Sequence, residues 1–295
     1  MIFKRQKILL ALLEYFGGSL QSTDLQKYLF LFTRLQEEKS YHFVPYKFGC
    51  FSFQAYDDRR KLISKGYLED CEEWVVSKKQ SRFVEMIDFD EKDRLWNIKK
   101  EYGDLSGDDL IKSVYKKYPY FAINSSIADR ILSTSEMGKV NEFRPKNTSI
   151  VLYTLGYEGR SLEEFLNILI KQDIKILCDV RKNALSRKYG FSKKTLGNAV
   201  ESLGIEYKHI PELGIESSFR KDLNSQEDYD ELFEEYERDV LSARTDKVEE
   251  LYQCLQSKQR IALTCFELQP SMCHRTSVAK AIKSLGENGI KFKEF

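Results

Sequence analysis

The segment from Thr264 to Arg275 concentrates several reactive side chains in one short stretch. It follows a mostly apolar, strand-like segment at 260–263 and precedes a segment with helical periodicity. In an open α/β sheet, ligands bind where a strand passes into a helix, because backbone N–H groups and loop side chains converge there. The reactive groups are a carboxylate, two thiols, an imidazole and a guanidinium: Glu267, Cys265, Cys273, His274 and Arg275.

Charged and aromatic side chains also follow three other predicted strands. Residues 149–155, 174–178, 205–210 and 260–265 have strand character and alternate with helical segments, which predicts a parallel sheet. The carboxyl ends of parallel strands meet at one rim, so their loops can share a pocket. The predicted substrate-binding residues are Tyr157, Glu158, Arg160, Arg181, His209, Cys273, His274 and Arg275.

Two carboxylates at this rim are the candidate catalytic residues. Asp179 and Glu267 could split a glycosidic bond, one acting as acid or nucleophile while the other activates water. Arg181 and Arg275 would then hold phosphates. Structural interpretations stay open: Asp179 could form an ion pair with Arg181, and Glu267 could cap a helix or pair with Arg275.

The cysteines of the same loop allow two further interpretations. A zinc site is one, but Cys-x7-Cys-His is not a usual ligand spacing and Cys265 ends a predicted buried strand. A nucleophilic Cys273 is the other, with a pKa lowered by His274, Arg275 and the start of a helix. We expect no metal. The sequence has no Walker A or GxGxxG loop, so it implies no cofactor.

The loop after the second predicted strand mixes cations with aromatic residues. Such a mixture suits a phosphodiester ligand, although a solvated loop remains the alternative. We expect a nucleic-acid partner, DNA rather than RNA. The predicted nucleic-acid-binding residues are Lys182, Arg187, Lys188, Tyr189, Lys193 and Lys194.

The first half of the chain has a different organisation. Helical periodicity at 5–16, 25–34 and 53–65, followed by a predicted hairpin within 67–76, is the order of a winged-helix module. The polar, proline-bearing segment 142–147 is the best linker. We therefore predict an α/β protein with two domains. Residues 1–147 would form a mainly α, winged-helix-like recognition domain with a helical extension, and 148–295 a Rossmann-like, mostly parallel-sheet catalytic domain.

Five motifs of the second half resemble the domain-of-unknown-function 488 family. They lie at 154–165, 178–181, 190–192, 207–214 and 265–275. The resemblance implies a Rossmann-like fold and leaves the reaction open. The chain departs from the family where it has Thr154-Leu155-Gly156-Tyr157-Glu158 instead of the frequent "TIGHS".

Residues 1–125 resemble the SocA-like (Panacea) antitoxin domains. The resemblance rests on segments 24–31, 43–52 and 62–68, with Cys50 at a position where that family usually has proline. It implies winged-helix-like recognition of DNA or of protein.

Composition limits the class of protein. A hydrophobic content of 42% and an aromatic content of 13% indicate substantial cores. Six scattered cysteines, no secretory leader and no apolar run of ~18 residues predict a soluble cytoplasmic protein without a membrane partner. The formal charge of +1 excludes no partner, and a homodimer stays open.

Together these patterns predict a nucleic-acid-processing enzyme. We expect a DNA glycosylase-type hydrolase that cleaves N-glycosidic bonds in ordinary or modified DNA, of the kind used in antiviral (phage) defence. The alternatives are a non-enzymatic sensor or regulator that binds DNA or a nucleotide, and a thiol enzyme that depends on Cys273.

Overall fold

The protein divides into two compact units, each with its own hydrophobic core. The computed structural model describes residues 2–77, 82–216, 219, 223–286 and 290–295. The first unit is Met1–Arg144 and the second is Pro145–Phe295. The division falls inside the polar segment 142–147.

The first unit is mainly helical, as predicted. Its helices and strands, in chain order, are α1 Lys4–Tyr15, β1 Ser19–Leu20, α2 Ser22–Arg34, β2 Val44–Tyr46, β3 Gly49–Phe51, α3 Phe53–Ser64, β4 Trp74–Val75, α4 Phe89–Tyr102, α5 Gly107–Lys117, α6 Ala128–Ile131 and α7 Thr134–Glu142.

Helices α1 and α2 supply much of the core of this unit, and residues 24–33 of α2 are all buried. Helix α3 begins after Ser52, whose hydroxyl accepts a hydrogen bond from the Ala55 N–H at 3.3 Å. Strand β4 pairs antiparallel with β1, and Leu68 forms an isolated bridge with Val76. The segment predicted as a hairpin therefore pairs both with itself and with β1.

The second unit alternates strands with helices. In chain order its elements are β5 Val151–Gly156, α8 Leu162–Lys171, β6 Ile176–Asp179, α9 Lys193–Glu201, β7 Glu206–His209, α10 Gln226–Tyr236, α11 Thr245–Lys258, β8 Arg260–Cys265, α12 Arg275–Ser284 and β9 Lys291–Glu294.

The five strands of this unit form one parallel sheet in the order β7-β6-β8-β5-β9. All residues of β5, β6 and β8 are buried, as expected when helices cover both faces of a parallel sheet. The predicted α/β fold class is confirmed, and the parallel sheet fits a Rossmann-like architecture. Among the described residues, no helix is long and apolar enough to span a bilayer.

Candidate functional site

The candidate site lies at the carboxyl ends of β6 and β8, where the chain leaves two neighbouring strands toward opposite edges of the sheet. Strands β6 and β8 are neighbours in the sheet. After β6 the chain continues to β7 at one edge, and after β8 it continues to β9 at the other edge. A crevice forms outside the carboxyl ends of two such strands, and ligands of open α/β sheets bind in this crevice.

A pocket of ≈ 300 Å³ occupies this position. It combines residues from the loops after β5, β6 and β8, so the predicted convergence of these loops is present in the structure. None of the described residues that line it is acidic. The lining residues are Tyr157, Arg181, Lys182, Asn183, Leu185, Ser186, Arg187, Ile215, Cys265, Phe266 and His274.

Asp179 and Arg181 form a buried ion pair at the base of this pocket. The guanidinium donates from Nε to Oδ1 at 2.8 Å and from Nη2 to Oδ2 at 2.5 Å, and the Arg181 backbone N–H also reaches Oδ1 at 3.2 Å. The Tyr207 hydroxyl donates to Oδ2 at 2.7 Å. Asp179 is fully buried and does not line the pocket. This geometry suits a carboxylate that positions Arg181.

Burial and charge shift the pKa values of both partners of Asp179. Burial alone lowers the pKa of the Arg181 guanidinium, but the hydrogen bonds and charge of Asp179 outweigh burial, so the pKa is raised. Burial also raises the pKa of the Tyr207 hydroxyl, and the charge of Asp179 reinforces that shift. Arg181 therefore remains charged and Tyr207 remains a hydrogen-bond donor.

Tyr157 and Phe191 form an aromatic wall beside this ion pair. Their rings stack with centroids 4.2 Å apart and planes at 7°. Arg181 Nη1 donates to the Tyr157 hydroxyl at 2.8 Å and to the Phe191 carbonyl at 2.9 Å. The Arg181 guanidinium also lies 5.0 Å from the centre of the Tyr157 ring. Four of its five N–H groups thus have protein partners, which fixes its position.

Gly156 lets the loop after β8 pack closely against the end of β5. A Cβ at this position would lie 2.0 Å from the Glu267 carbonyl oxygen. The close approach allows the Tyr157 and Glu158 N–H groups to donate to the Phe266 carbonyl at 3.1 and 2.9 Å. The Glu158 carboxylate accepts from the Leu268 N–H at 2.9 Å.

Arg275 holds the loop after β8 from the other side. It is fully buried and donates from Nη1 to the Glu267 carbonyl at 2.5 Å and from Nη2 to the Leu268 carbonyl at 3.0 Å. Arg160 binds the Gly156 carbonyl at 2.5 Å. Burial and the charge of Arg275 lower the pKa of Arg160. These two arginines, predicted to bind substrate, both make structural contacts to backbone carbonyls.

The two predicted site histidines also bind backbone carbonyls. His209 Nε2 lies 2.8 Å from the Arg181 carbonyl oxygen, and His274 Nε2 lies 2.9 Å from the Val180 carbonyl oxygen. A carbonyl only accepts, so Nε2 carries the proton in each ring. His274 lines the pocket and His209 does not.

Glu267 is half-buried and does not itself line the pocket. Its Oε2 accepts a hydrogen bond from the Cys265 thiol at 3.2 Å, and Cys265 lines the pocket. Cys273 is fully buried. Burial, together with Cys265, raises the pKa of the Cys273 thiol well above its ordinary value. A nucleophilic thiolate requires a lowered pKa, so this shift argues against Cys273 as a nucleophile.

The basic loop contributes two cations to the pocket, Lys182 and Arg187. Lys188 instead donates to the Tyr157 carbonyl at 2.9 Å, and burial lowers its pKa. Lys193 and Lys194 are exposed in the first turn of α9, and Tyr189 is half-buried; none of these three lines the pocket.

Several residues of the site were not assigned from the sequence. Phe266 and Leu185 line the pocket and are 43% and 84% exposed, so they offer apolar surface to a ligand. Tyr207 binds Asp179. Tyr207 and His209 point to the same face of β7, since side chains two apart in a strand share a face. That alternation was the available signal for Tyr207.

One comparison with known proteins gives a match. A family model described as "Domain of unknown function DUF488" matches residues 161–282. No curated protein and no solved structure matches the chain. The resemblance of residues 1–125 to the SocA-like antitoxin domains stays a prediction. Residues 161–282 of the second unit, which carry most of its parallel α/β sheet, are therefore similar to the DUF488 family.

Proposed function

We propose that the second unit processes nucleic acid and takes one nucleotide into the pocket outside β6 and β8. The observation that carries this proposal is the lining of the pocket. It combines cations with exposed apolar surface, and none of its described residues is acidic. A phosphate and a base are the groups that such a lining attracts.

Lys182 and Arg187 are the cations best placed to bind phosphate. Lys182 lies 3.1 Å from the Glu216 carboxylate in a partly exposed ion pair. Exposed pairs contribute ~0–1 kcal/mol, so Lys182 can exchange this partner for a phosphate at little cost. Arg187 makes no hydrogen bond or ion pair with the described residues and is exposed.

The apolar side chains define where a base would lie. Phe266 and Leu185 expose apolar surface at the pocket, and a base can pack against either. The volume of ≈ 300 Å³ is at the lower end of the range for small-ligand sites. It suits a single unstacked nucleotide, as in enzymes that extrude their target base.

The proposed reaction is hydrolysis of the N-glycosidic bond of that nucleotide, with Glu267 as the acting carboxylate. Glu267 is half-buried and contacts the pocket wall through Cys265. Asp179, the other predicted carboxylate, accepts four hydrogen bonds, so we place it behind Arg181 as a positioning residue. Glu267 would accept the proton of the attacking water as the water oxygen bonds to C1′ and the C1′–N bond breaks, and it would then return that proton to the departing base.

Binding is tested by fluorescence anisotropy with a labelled single-stranded oligonucleotide at several salt concentrations. Lys182→Ala and Arg187→Ala should each weaken binding and reduce the salt slope by ~0.7, the value for loss of one phosphate contact on a single strand. Lys280→Ala is the matched control, because Lys280 is exposed on α12 and does not line the pocket. An unchanged salt slope in both pocket variants would show that Lys182 and Arg187 do not contact the phosphates of the oligonucleotide.

The reaction is tested by mass spectrometry of the purified protein incubated with ordinary and modified phage DNA. Release of a free base by the wild-type protein, lost in Glu267→Gln with oligonucleotide binding intact, is the expected result. Base release by Glu267→Gln at the wild-type rate would refute the assigned role.

A non-enzymatic nucleotide sensor is the second candidate, and the absence of a described acidic residue from the pocket lining favours it. It predicts the same binding behaviour of Lys182→Ala and Arg187→Ala but no product from any DNA or RNA. The two candidates therefore differ in the product assay alone.

The first unit would locate DNA in either case. Helix α3 is the third helix of the predicted winged-helix order; it exposes Arg60 and Lys61, and Lys65 is exposed directly after its end. Arg60 and Lys61 both pair with Asp57, at 2.9 and 2.6 Å, on the same helix. Asp57 is buried, but both cations are exposed and could turn toward a phosphate backbone.

A further inference from the structure

Three metal-ligating side chains converge at the end of β8. One ligand atom from each of Cys265, Cys273 and His274 lies within 4.8 Å of the other two, and all three residues are buried. The spacing along the chain is unusual for a zinc site, but the turn between residues 266 and 272 brings the two thiols to the same place. Spacing is a guide to such sites, and ligand geometry defines them.

The orientation of His274 suits a metal ligand. Its Nε2–H donates to the Val180 carbonyl at 2.9 Å, so in the neutral ring the lone pair is on Nδ1. Nδ1 faces the Cys265 sulfur at 3.9 Å. Metal-binding histidines usually donate their other N–H to a carbonyl or carboxylate in this way. The Tyr236 ring packs edge-on against the imidazole with centroids 5.6 Å apart, which further fixes the ring.

The distances are close to those of a tetrahedral zinc site. Bond lengths of ~2.3 Å to sulfur and ~2.05 Å to nitrogen place a sulfur and a nitrogen ligand ~3.6 Å apart, and two sulfurs ~3.8 Å apart. The observed separation of Cys265 Sγ and His274 Nδ1 is 3.9 Å, and the two sulfurs lie within 4.8 Å of each other. Side-chain movements of less than ~1 Å would complete the geometry.

The ligand set selects the class of metal. Two thiolates and an imidazole suit Zn²⁺ and other soft or borderline transition metals, whereas Mg²⁺ and Ca²⁺ prefer oxygen ligands. Two thiolates also neutralise a divalent ion, so the complex can be buried without a net charge.

Two of the three ligand residues border the proposed nucleotide pocket. Cys265 and His274 both line that pocket, and the Glu267 carboxylate lies 3.2 Å from Cys265 Sγ. Three protein ligands with a fourth position open to water or substrate are the pattern of catalytic zinc sites, whereas structural sites are closed by four protein ligands.

We propose that Cys265, Cys273 and His274 bind one Zn²⁺ ion, with the fourth coordination position open to the pocket and next to Glu267. Zinc lowers the pKa of a bound water to near neutrality when it is present. The Glu267 carboxylate lies beside this site, because it accepts a hydrogen bond from the Cys265 thiol at 3.2 Å. Metal binding needs no nucleic acid, so its test is independent of the proposed function.

The test is cobalt substitution of the full-length protein, purified in reductant and treated with a chelator. We expect one Co²⁺ per chain and a thiolate-to-cobalt charge-transfer band in the near ultraviolet, displaced by one equivalent of Zn²⁺. Cys273→Ser and Cys265→Ser should each reduce the band by about half and weaken zinc binding at least ~10-fold. Cys254→Ser is the matched control, since Cys254 is a half-buried thiol of the same unit outside the cluster and its variant should match the wild type.

Three results would overturn the proposal. The first is wild-type protein that takes up no cobalt with its thiols reduced, and the second is a full charge-transfer band in either cluster variant. The third is a disulfide between Cys265 and Cys273 that persists in reductant and excludes the metal. Because a cluster variant could unfold the sheet, Met272→Ala serves as a further control: Met272 is exposed in the same loop, so its variant should keep the full band.

Discussion

Replacement of Asp179 by asparagine should destabilise the second unit strongly. Asp179 is fully buried and accepts three hydrogen bonds from Arg181 and one from Tyr207. Asparagine keeps one acceptor oxygen, but it removes the charge and turns an NH₂ group toward these donors. The Arg181 guanidinium, only 6% exposed, would then be buried without its counter-charge.

The size of the effect follows from that loss. Removal of one partner of a buried ion pair costs ~3–5 kcal/mol, because the remaining charge stays buried. With a urea m-value of ~2 kcal/mol/M, the midpoint of the second unit should fall by ~1.5–2.5 M. The double variant Asp179→Leu with Arg181→Met removes both charges and should recover much of that loss.

The assay must follow each unit by itself. Both tryptophans, Trp74 and Trp96, belong to the first unit, so tryptophan fluorescence reports on that unit. The fully buried Cys178 of β6 reports on the second unit through its alkylation, measured by mass spectrometry across a urea series. Asp179→Asn should shift only the alkylation midpoint. A shift below ~0.5 M, which corresponds to ~1 kcal/mol, would refute the view that Asp179 serves the ion pair.

Three more predictions concern other parts of the molecule. The Cys178 thiol donates a hydrogen bond that lowers the pKa of Cys254 to about 7. The thiolate fraction of Cys254 should therefore rise through that pH, and the rate of its alkylation by iodoacetamide should rise with it. The Cys178→Ala variant should shift this rise to higher pH. Gly156→Ala would place its Cβ 2.0 Å from the Glu267 carbonyl, so oligonucleotide binding at the pocket should fall at least ~10-fold while tryptophan fluorescence stays unchanged. Arg60→Glu on α3 should weaken duplex DNA binding and lower its salt slope by ~0.9 or more; an unchanged slope would place DNA elsewhere.

The elements of the second unit could be predicted well because local patterns determine them. Strand β8 lies at 260–265, as its apolar run predicts, and helix α8 starts at the cap formed by Ser161. The Ser161 hydroxyl accepts from the Glu164 N–H, while the Glu164 carboxylate accepts from the Ser161 N–H. These contacts span three residues and are therefore visible in the sequence.

The partners of the site residues could not be predicted, because they depend on strand order. The sequence shows that Asp179 and Arg181 follow a strand, but Tyr207 reaches Asp179 only because β7 pairs with β6. In the same way, His274 contacts the Val180 carbonyl only because β8 lies beside β6. Such contacts join residues far apart in the chain.

Cys265 and His274 belong both to the proposed zinc site and to the wall of the proposed nucleotide pocket. If a nucleotide group occupies the fourth coordination position of the metal, zinc must change nucleotide affinity by the same factor by which the nucleotide changes zinc affinity. Zinc would also hold His274, whose Nε2–H binds the carbonyl next to Arg181. Metal binding would thus order the segment that carries Arg181 and Lys182, so we expect the coupling to be favourable. Equal oligonucleotide affinity with and without zinc would mean that binding of the metal and binding of the nucleotide are not coupled.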